Sequence, residues 1–229
     1  MNINPFEIKL VRQSPKSDDC LRSCAQMIFN YYADPVTKEV IWKKLHVYKK
    51  HSGLTGGYLV DLGRLAIKLG HETIIYHYDW HWWDKNTFEA AKKSTKSLIK
   101  SLSDLKKEKS GWGDKRIISK EILYLKKGGK FKLQMPTLSL IDSFLQQKIP
   151  VILLVRAEDL YLSPKENYNH SIIVTSKKEN LYLIKDSYFA LEEIKDEDLL
   201  YSWIRGGGWM IVILPKLDKI QVLQEKLNL

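Results

Sequence analysis

Four residues in this chain have the types and the order of a nucleophilic site built on a thiol. Gln13 and Cys20 lie in VRQSPKSDDCLRSCAQMIFNYY, and His170 and Asp186 lie in NHSIIVTSKKENLYLIKDSY. A thiol is a poor nucleophile until it loses its proton, and an imidazole held by a carboxylate can take that proton. In such a site Cys20 attacks a carbonyl, His170 takes and returns the proton, and Asp186 fixes the tautomer of the imidazole. Gln13 would complete it by donating its side-chain amide to the oxyanion, beside the backbone N–H of Cys20.

The elements that must position these groups are legible on either side of them. Leu21, Cys24, Ala25, Ile28, Phe29 and Tyr32 are spaced as one apolar face of a helix. Pro15, Ser17, Asp18 and Asp19 are turn and N-cap residues, which places the helix start within a residue or two of Cys20. A thiolate there faces unpaired backbone N–H groups and the positive end of the helix dipole. Cys24 falls on the apolar face and reads as a small core residue. No second Cys/His cluster of zinc spacing accompanies the pair, so neither a metal nor a cofactor is expected.

Downstream, IPVILLVR (149–156) is a continuous apolar run that predicts a buried strand, followed by a polar loop from Glu158 to Asn169. A second strand then begins at His170. Asn180 marks a turn, and the run from Leu181 to Asp186 is its hairpin partner, so His170 and Asp186 meet at the open end of two strands.

With those residues in view, the chain resembles the C39-like peptidase family, a branch of the papain-like cysteine peptidases. The pattern is carried by Gln13, Asp19, Cys20, Cys24, Met27, Ile28, Tyr31 and Tyr32. GLTGGYLVDLGRLAIKLGHE, LIDSFLQQKIPVILLVR, the His170–Asp186 separation and the tail through Trp203 to Leu214 are also similar. The resemblance leaves out roughly residues 80–132. It implies an α+β fold, with an N-terminal helical half carrying Cys20 packed on an antiparallel sheet carrying His170 and Asp186. It also implies that nucleophile, base, orienter and oxyanion donor map onto Cys20, His170, Asp186 and Gln13. Family members cleave peptide bonds, notably after double-glycine leaders when fused to transporters, and no transporter parts are present in this sequence. Three positions depart from the pattern: Leu21 where glycine commonly follows the nucleophile, Gln13 one residue farther from the cysteine than usual, and Ser187 where proline is common.

Length and composition bound the rest. The 229 residues suit one domain, 1–229, with an insertion at 80–132, and 44% hydrophobic content argues against disorder. The N-terminus has no apolar signal region, no apolar stretch reaches transmembrane length, and two cysteines imply no disulfide framework. A cytoplasmic setting is the default, with export that reads no N-terminal signal as the alternative. Between Lys92 and Lys132 fourteen Lys/Arg stand against four Asp/Glu, which accounts for the whole net charge of +10. This segment predicts a helix around Phe88–Lys107, broken by Gly111 and Gly113. A Gly128-Gly129 hairpin turn is expected between strands Ile122–Leu125 and Phe131–Leu133. Lysine outnumbers arginine and no nucleic-acid module is recognisable, so the basic face is solvated surface or the site of an anionic partner rather than a nucleic-acid interface.

Tyr76 to Trp83 form an aromatic cluster. As a strand it would project His77, Asp79 and His81 from one face, an arrangement able to hold a metal, and Tyr78, Trp80 and Trp82 from the other. A thiol mechanism needs no metal, so the expected roles are a cover over the junction with the basic segment or a substrate-binding wall. Gly206-Gly207-Gly208 is expected to feed a last strand, and Leu217–Leu229 to form a short terminal helix. The preferred function is a cysteine hydrolase acting on a peptide or protein substrate at a peptide or amide bond. The alternatives are an acyltransferase on the same fold and a papain-like scaffold of weak catalysis that binds an acidic partner through the basic insertion.

Overall fold

A computed structural model describes residues 7–34, 36–48, 56–79 and 82–216. The first part carries helices α1 (Cys20–Tyr31), α2 (Lys38–Lys44) and α3 (Leu59–Lys68), then strand β1 (Thr73–His77). Helices α4 (Lys85–Lys93), α5 (Thr95–Glu108) and α6 (Trp112–Lys126) follow, then β2 (Lys130–Leu133) and α7 (Leu138–Leu145). The last part contains β3 (Val151–Arg156), α8 (Ala157–Leu160), β4 (Asn169–Lys178), β5 (Leu181–Lys185), β6 (Glu193–Lys195), α9 (Asp196–Arg205) and β7 (Met210–Ile213). The expected terminal helix at 217–229 lies outside the described residues.

The strands form one sheet in the order β2-β1-β7-β3-β4-β5-β6. Every pairing is antiparallel except that of β2 with β1. Its central strands are apolar runs: β7 is buried throughout and β3 nearly so, as strands covered on both faces must be. Helix α1 packs on β4, burying Leu21, Cys24, Ala25, Met27, Ile28 and Phe29. This is the α+β arrangement of a helical half on a largely antiparallel sheet, and it brings the helix start that carries Cys20 to the strand that carries His170.

The basic segment departs from its expected form. Parallel neighbours such as β1 and β2 need a crossover connection, and α4, α5 and α6 supply it. The single helix expected over 88–107 is two, broken at Ser94, whose extended backbone ends α4 and whose hydroxyl accepts Ser97 N–H at 3.1 Å to cap α5. The expected strand Ile122–Leu125 and its hairpin do not form. Gly128-Gly129 instead ends α6: Gly128 takes φ +92° and Gly129 N–H donates to Tyr124 C=O at 3.0 Å. A Cβ on Gly129 would sit 2.2 Å from the Tyr124 ring. The ring lies there because the Tyr124 hydroxyl bonds to Thr73 Oγ1 at 3.0 Å, which ties α6 to β1. These helices bury a core of their own, including Trp83, Leu98, Leu102, Leu105, Ile118 and Leu125.

The aromatic cluster is not one continuous strand either. β1 ends at His77, and Asp79 lies beyond it in a turn where its carboxylate accepts Trp82 N–H at 3.1 Å. Trp80 and His81 lie outside the described residues. His77 is buried, stacked on Trp209 with centroids 4.1 Å apart, and burial lowers its pKa to about 3. Among the described residues no group of three His, Cys, Asp or Glu could hold a metal.

Candidate active site

Cys20 is the first residue of α1, partly buried, with Asp19 at the N-cap position. The Asp19 side chain does not cap the helix; it pairs with Arg22 at 2.8 Å. The first-turn amides beside the thiol therefore lack a side-chain cap. Leu21, which replaces the common glycine, turns into the core and packs on Gly57, so its bulk points away from the cleft.

His170 and Asp186 approach as their strands predict. His170 sits near the start of β4, opposite Val155 of β3, and Asp186 directly follows β5. A register shift between Val174 and Ser176 separates the paired stretches of β4 and β5. The Nε2 of His170 lies 2.8 Å from Asp186 Oδ1, and both residues are buried. Nδ1 is then the ring nitrogen that faces the thiol. Burial opposes ionisation of Cys20, but the His170 side chain, with the N–H and hydroxyl of Ser171, holds its pKa below the ordinary thiol value. Burial likewise opposes protonation of His170, and hydrogen bonds to Asp186 and Cys20 override it, raising the pKa to about 9. Each group thus favours the charged form of the other. Cys24 behaves oppositely: fully buried, with its thiol on the Ser171 carbonyl at 3.4 Å, its pKa is driven well up by burial.

The Asp186 carboxylate is itself held by N–H groups of Tyr188 (2.9 Å), Phe189 (3.0 Å) and Leu191 (3.3 Å). The Tyr161 hydroxyl adds a fourth donor at 3.0 Å. Burial works to raise the Asp186 pKa, and His170 with these amides brings it below the usual carboxylate value.

Gln13 reaches the same cleft. Its backbone N–H donates to Ser187 C=O at 3.1 Å, its Oε1 accepts the Ser187 hydroxyl at 2.9 Å, and its Nε2 donates to Ser17 C=O at 2.8 Å. Gln13, Cys20 and His170 line a cleft of about 1470 Å³, to which Trp82, Glu121 and Trp209 also contribute. The basic segment thus supplies part of the cleft wall. Trp83, by contrast, is only 1% exposed and belongs to the core.

The spacing of residue types in the sequence points to Cys20, His170, Asp186 and Gln13; the fold brings Cys20, His170 and Gln13 to one cleft and buries Asp186 against His170. It does not point to Tyr161, Ser171 or Ser187. Ser171 and Ser187 directly follow His170 and Asp186 in the chain, a signal that could have found them. Tyr161 lies in an irregular stretch with no periodicity to mark it.

No protein-family model matches the chain, and no curated protein matches it. Solved structures do. A C39-like peptidase from Bacillus anthracis is 12% identical, with a TM-score of 0.52 over 93% of this chain and 98% of that one. A double glycine motif protease from an AMS/PCAT transporter, in complex with the leader peptide, is 13% identical, with a TM-score of 0.50 over 94% of this chain and 99% of that one. Among the described residues no helix is long and apolar enough to cross a membrane. At such identities the likeness is one of fold: this chain folds as C39-like, papain-type peptidase domains do.

Proposed function

We propose that the protein is a cysteine hydrolase that cleaves a peptide or amide bond. The observation that carries this reading is His170, hydrogen-bonded through Nε2 to buried Asp186 and facing Cys20 at the start of α1. The Cys20 thiolate attacks the carbonyl carbon, and the oxyanion takes hydrogen bonds from the Cys20 backbone N–H and the Gln13 amide. His170 delivers its proton to the leaving nitrogen as the C–N bond breaks, leaving a thioester. His170 then takes a proton from water, the hydroxyl adds to the thioester carbon, and loss of the thiolate releases the acid. Asp186 keeps the imidazole oriented throughout.

A peptide substrate is supported by the similar protease bound to a leader peptide. A peptide with two glycines before the scissile bond is therefore the first substrate to assay. Residues 80–132 are read as an insertion within the peptidase domain, and its exposed lysines, such as Lys93, Lys96 and Lys100, as the contact for an anionic partner.

The deciding experiment is site-resolved alkylation of Cys20 as a function of pH, with Cys24 as internal control. Rapid labelling of Cys20 below pH 7, lost in His170→Ala, is the expected result. Labelling that follows an ordinary thiol, with a pKa near 8.5, would overturn the reading.

A further inference from the structure

Asp186 and Ser187 are adjacent in the chain and fully buried, and each holds a different part of the site. Asp186 holds the imidazole at 2.8 Å. Ser187 holds Gln13 twice, its carbonyl accepting Gln13 N–H at 3.1 Å and its hydroxyl donating to Gln13 Oε1 at 2.9 Å.

The side-chain contact settles which way the Gln13 amide faces. With Oε1 accepting from Ser187, Nε2 is directed to the other side, where Ser17 C=O takes one of its two N–H donors at 2.8 Å. Reversing the amide would set Oε1 against the Ser17 carbonyl, an acceptor against an acceptor. The second N–H has no partner among the described residues, and Gln13 lines the cleft with Cys20. Ser17 is itself held by a tight turn, its N–H and hydroxyl both on Ser14 C=O at 3.1 and 2.7 Å. The amide is thus clamped between a turn on one side and the end of β5 on the other.

We infer that Ser187 is a positioning residue for the oxyanion site: its hydroxyl orients the Gln13 carboxamide so that one N–H stays directed at the oxygen of a carbonyl attacked by Cys20. One dipeptide, Asp186-Ser187, then aligns the base and the oxyanion donor together. The backbone half of the clasp needs no serine, but the side-chain half needs a hydroxyl. Alanine at 187 would leave the loop docked through Gln13 N–H while freeing the carboxamide to turn.

This inference rests on the role proposed for Gln13, and the test separates the two. The probe is the peptide aldehyde acetyl-glycyl-glycinal. The Cys20 thiolate adds to its carbonyl carbon, the C=O π bond breaks, and the oxygen, which occupies the oxyanion position, takes its proton from the His170 imidazolium. Its dissociation constant is measured for the wild type, Ser187→Ala, Ser187→Thr, Gln13→Ala and the Ser187→Ala/Gln13→Ala double variant. Cys20 alkylation by iodoacetamide is followed in parallel, because it reads the thiolate–imidazolium pair and no oxyanion.

Ser187→Ala is expected to weaken the aldehyde adduct about tenfold with the alkylation pH profile unchanged. Ser187→Thr is expected to restore the affinity, and Ser187→Ala to have no further effect once Gln13 is alanine. A weak adduct in Gln13→Ala beside a wild-type adduct in Ser187→Ala overturns the inference alone. Wild-type adducts in both variants overturn the role of Gln13 as well. Equal losses from Ser187→Ala with and without Gln13 show that Ser187 acts elsewhere, and they also overturn it.

Discussion

The Tyr161 hydroxyl donates, at 3.0 Å, to the same Asp186 oxygen that lies 2.8 Å from His170 Nε2. Tyr161 reaches it from just beyond α8, 25 residues before the carboxylate in sequence. The shared oxygen also accepts Tyr188 N–H at 2.9 Å. Tyr161 thus satisfies part of a buried charge without touching the thiol. Tyr161→Phe should cost about 1 kcal/mol of stability, read by urea denaturation, and leave the pH profile of Cys20 alkylation in place. Collapse of Cys20 reactivity in this variant would make Tyr161 part of the catalytic array instead.

The His170–Asp186 pair should leave its mark on stability as a function of pH. Folding raises the His170 pKa from about 6.5 to about 9, so its stabilisation is complete below about 6.5 and is lost as pH rises through 9. Folding lowers the Asp186 pKa, so its stabilisation is complete above about 3.9 and is lost as pH falls through the lower folded value. Asp186→Asn should therefore cost most between about pH 4 and 6.5, by about 1–3 kcal/mol, and much less above 9. A loss independent of pH across that range would show that Asp186 acts only as a hydrogen-bond acceptor for backbone amides.

Glu121 should titrate separately from the thiol site, beside two indoles that can report it. Its carboxyl is buried in the cleft wall; burial raises the pKa to about 7, the indole N–H groups of Trp82 (2.8 Å) and Trp83 (3.3 Å) oppose the rise, and Asp79 adds to it. The folded state thus holds the proton more firmly than the unfolded one, and this contribution to stability fades as pH rises from about 4.5 toward 7. Nearby His77, with its pKa near 3, stays neutral throughout that range. Tryptophan fluorescence should shift with a midpoint near pH 7 in the wild type and lose that transition in Glu121→Gln. An identical transition in the variant would assign it to another group.

Gly129→Ala should be poorly tolerated, since the new Cβ would meet the Tyr124 ring at 2.2 Å and the ring is tethered by its hydroxyl to Thr73. A loss of about 1–3 kcal/mol is expected in thermal unfolding. Tyr124→Leu in the same background should recover part of it, because the flexible side chain can move aside. No loss on Gly129→Ala would mean that α6 and β1 separate easily.

Much of the site is legible in the chain because its signals are local. Cys20 precedes an apolar stripe from Leu21 to Tyr32 whose spacing can only be helical, and turn residues in front of it place the helix start. His170 and Asp186 flank two β-rich runs joined by a short turn, so the chain itself returns one toward the other. The same local logic fails at Gly128-Gly129. A glycine pair after an apolar run serves equally as a hairpin turn or a helix stop, and long-range contacts of α6, such as Tyr124–Thr73 across 51 residues and Glu121–Trp82 across 39, favour the stop.

Sequence alone determined which side chains could do chemistry and the helix and strand pair that carry Cys20, His170 and Asp186, because helical and strand periodicities are written in neighbouring residues. The tertiary structure decided how those side chains are held. Ser187 meets Gln13 across 174 residues, and Tyr161 meets Asp186 from an irregular stretch. No spacing rule encodes such contacts; they exist because the sheet brings the end of β5 against the loop before α1.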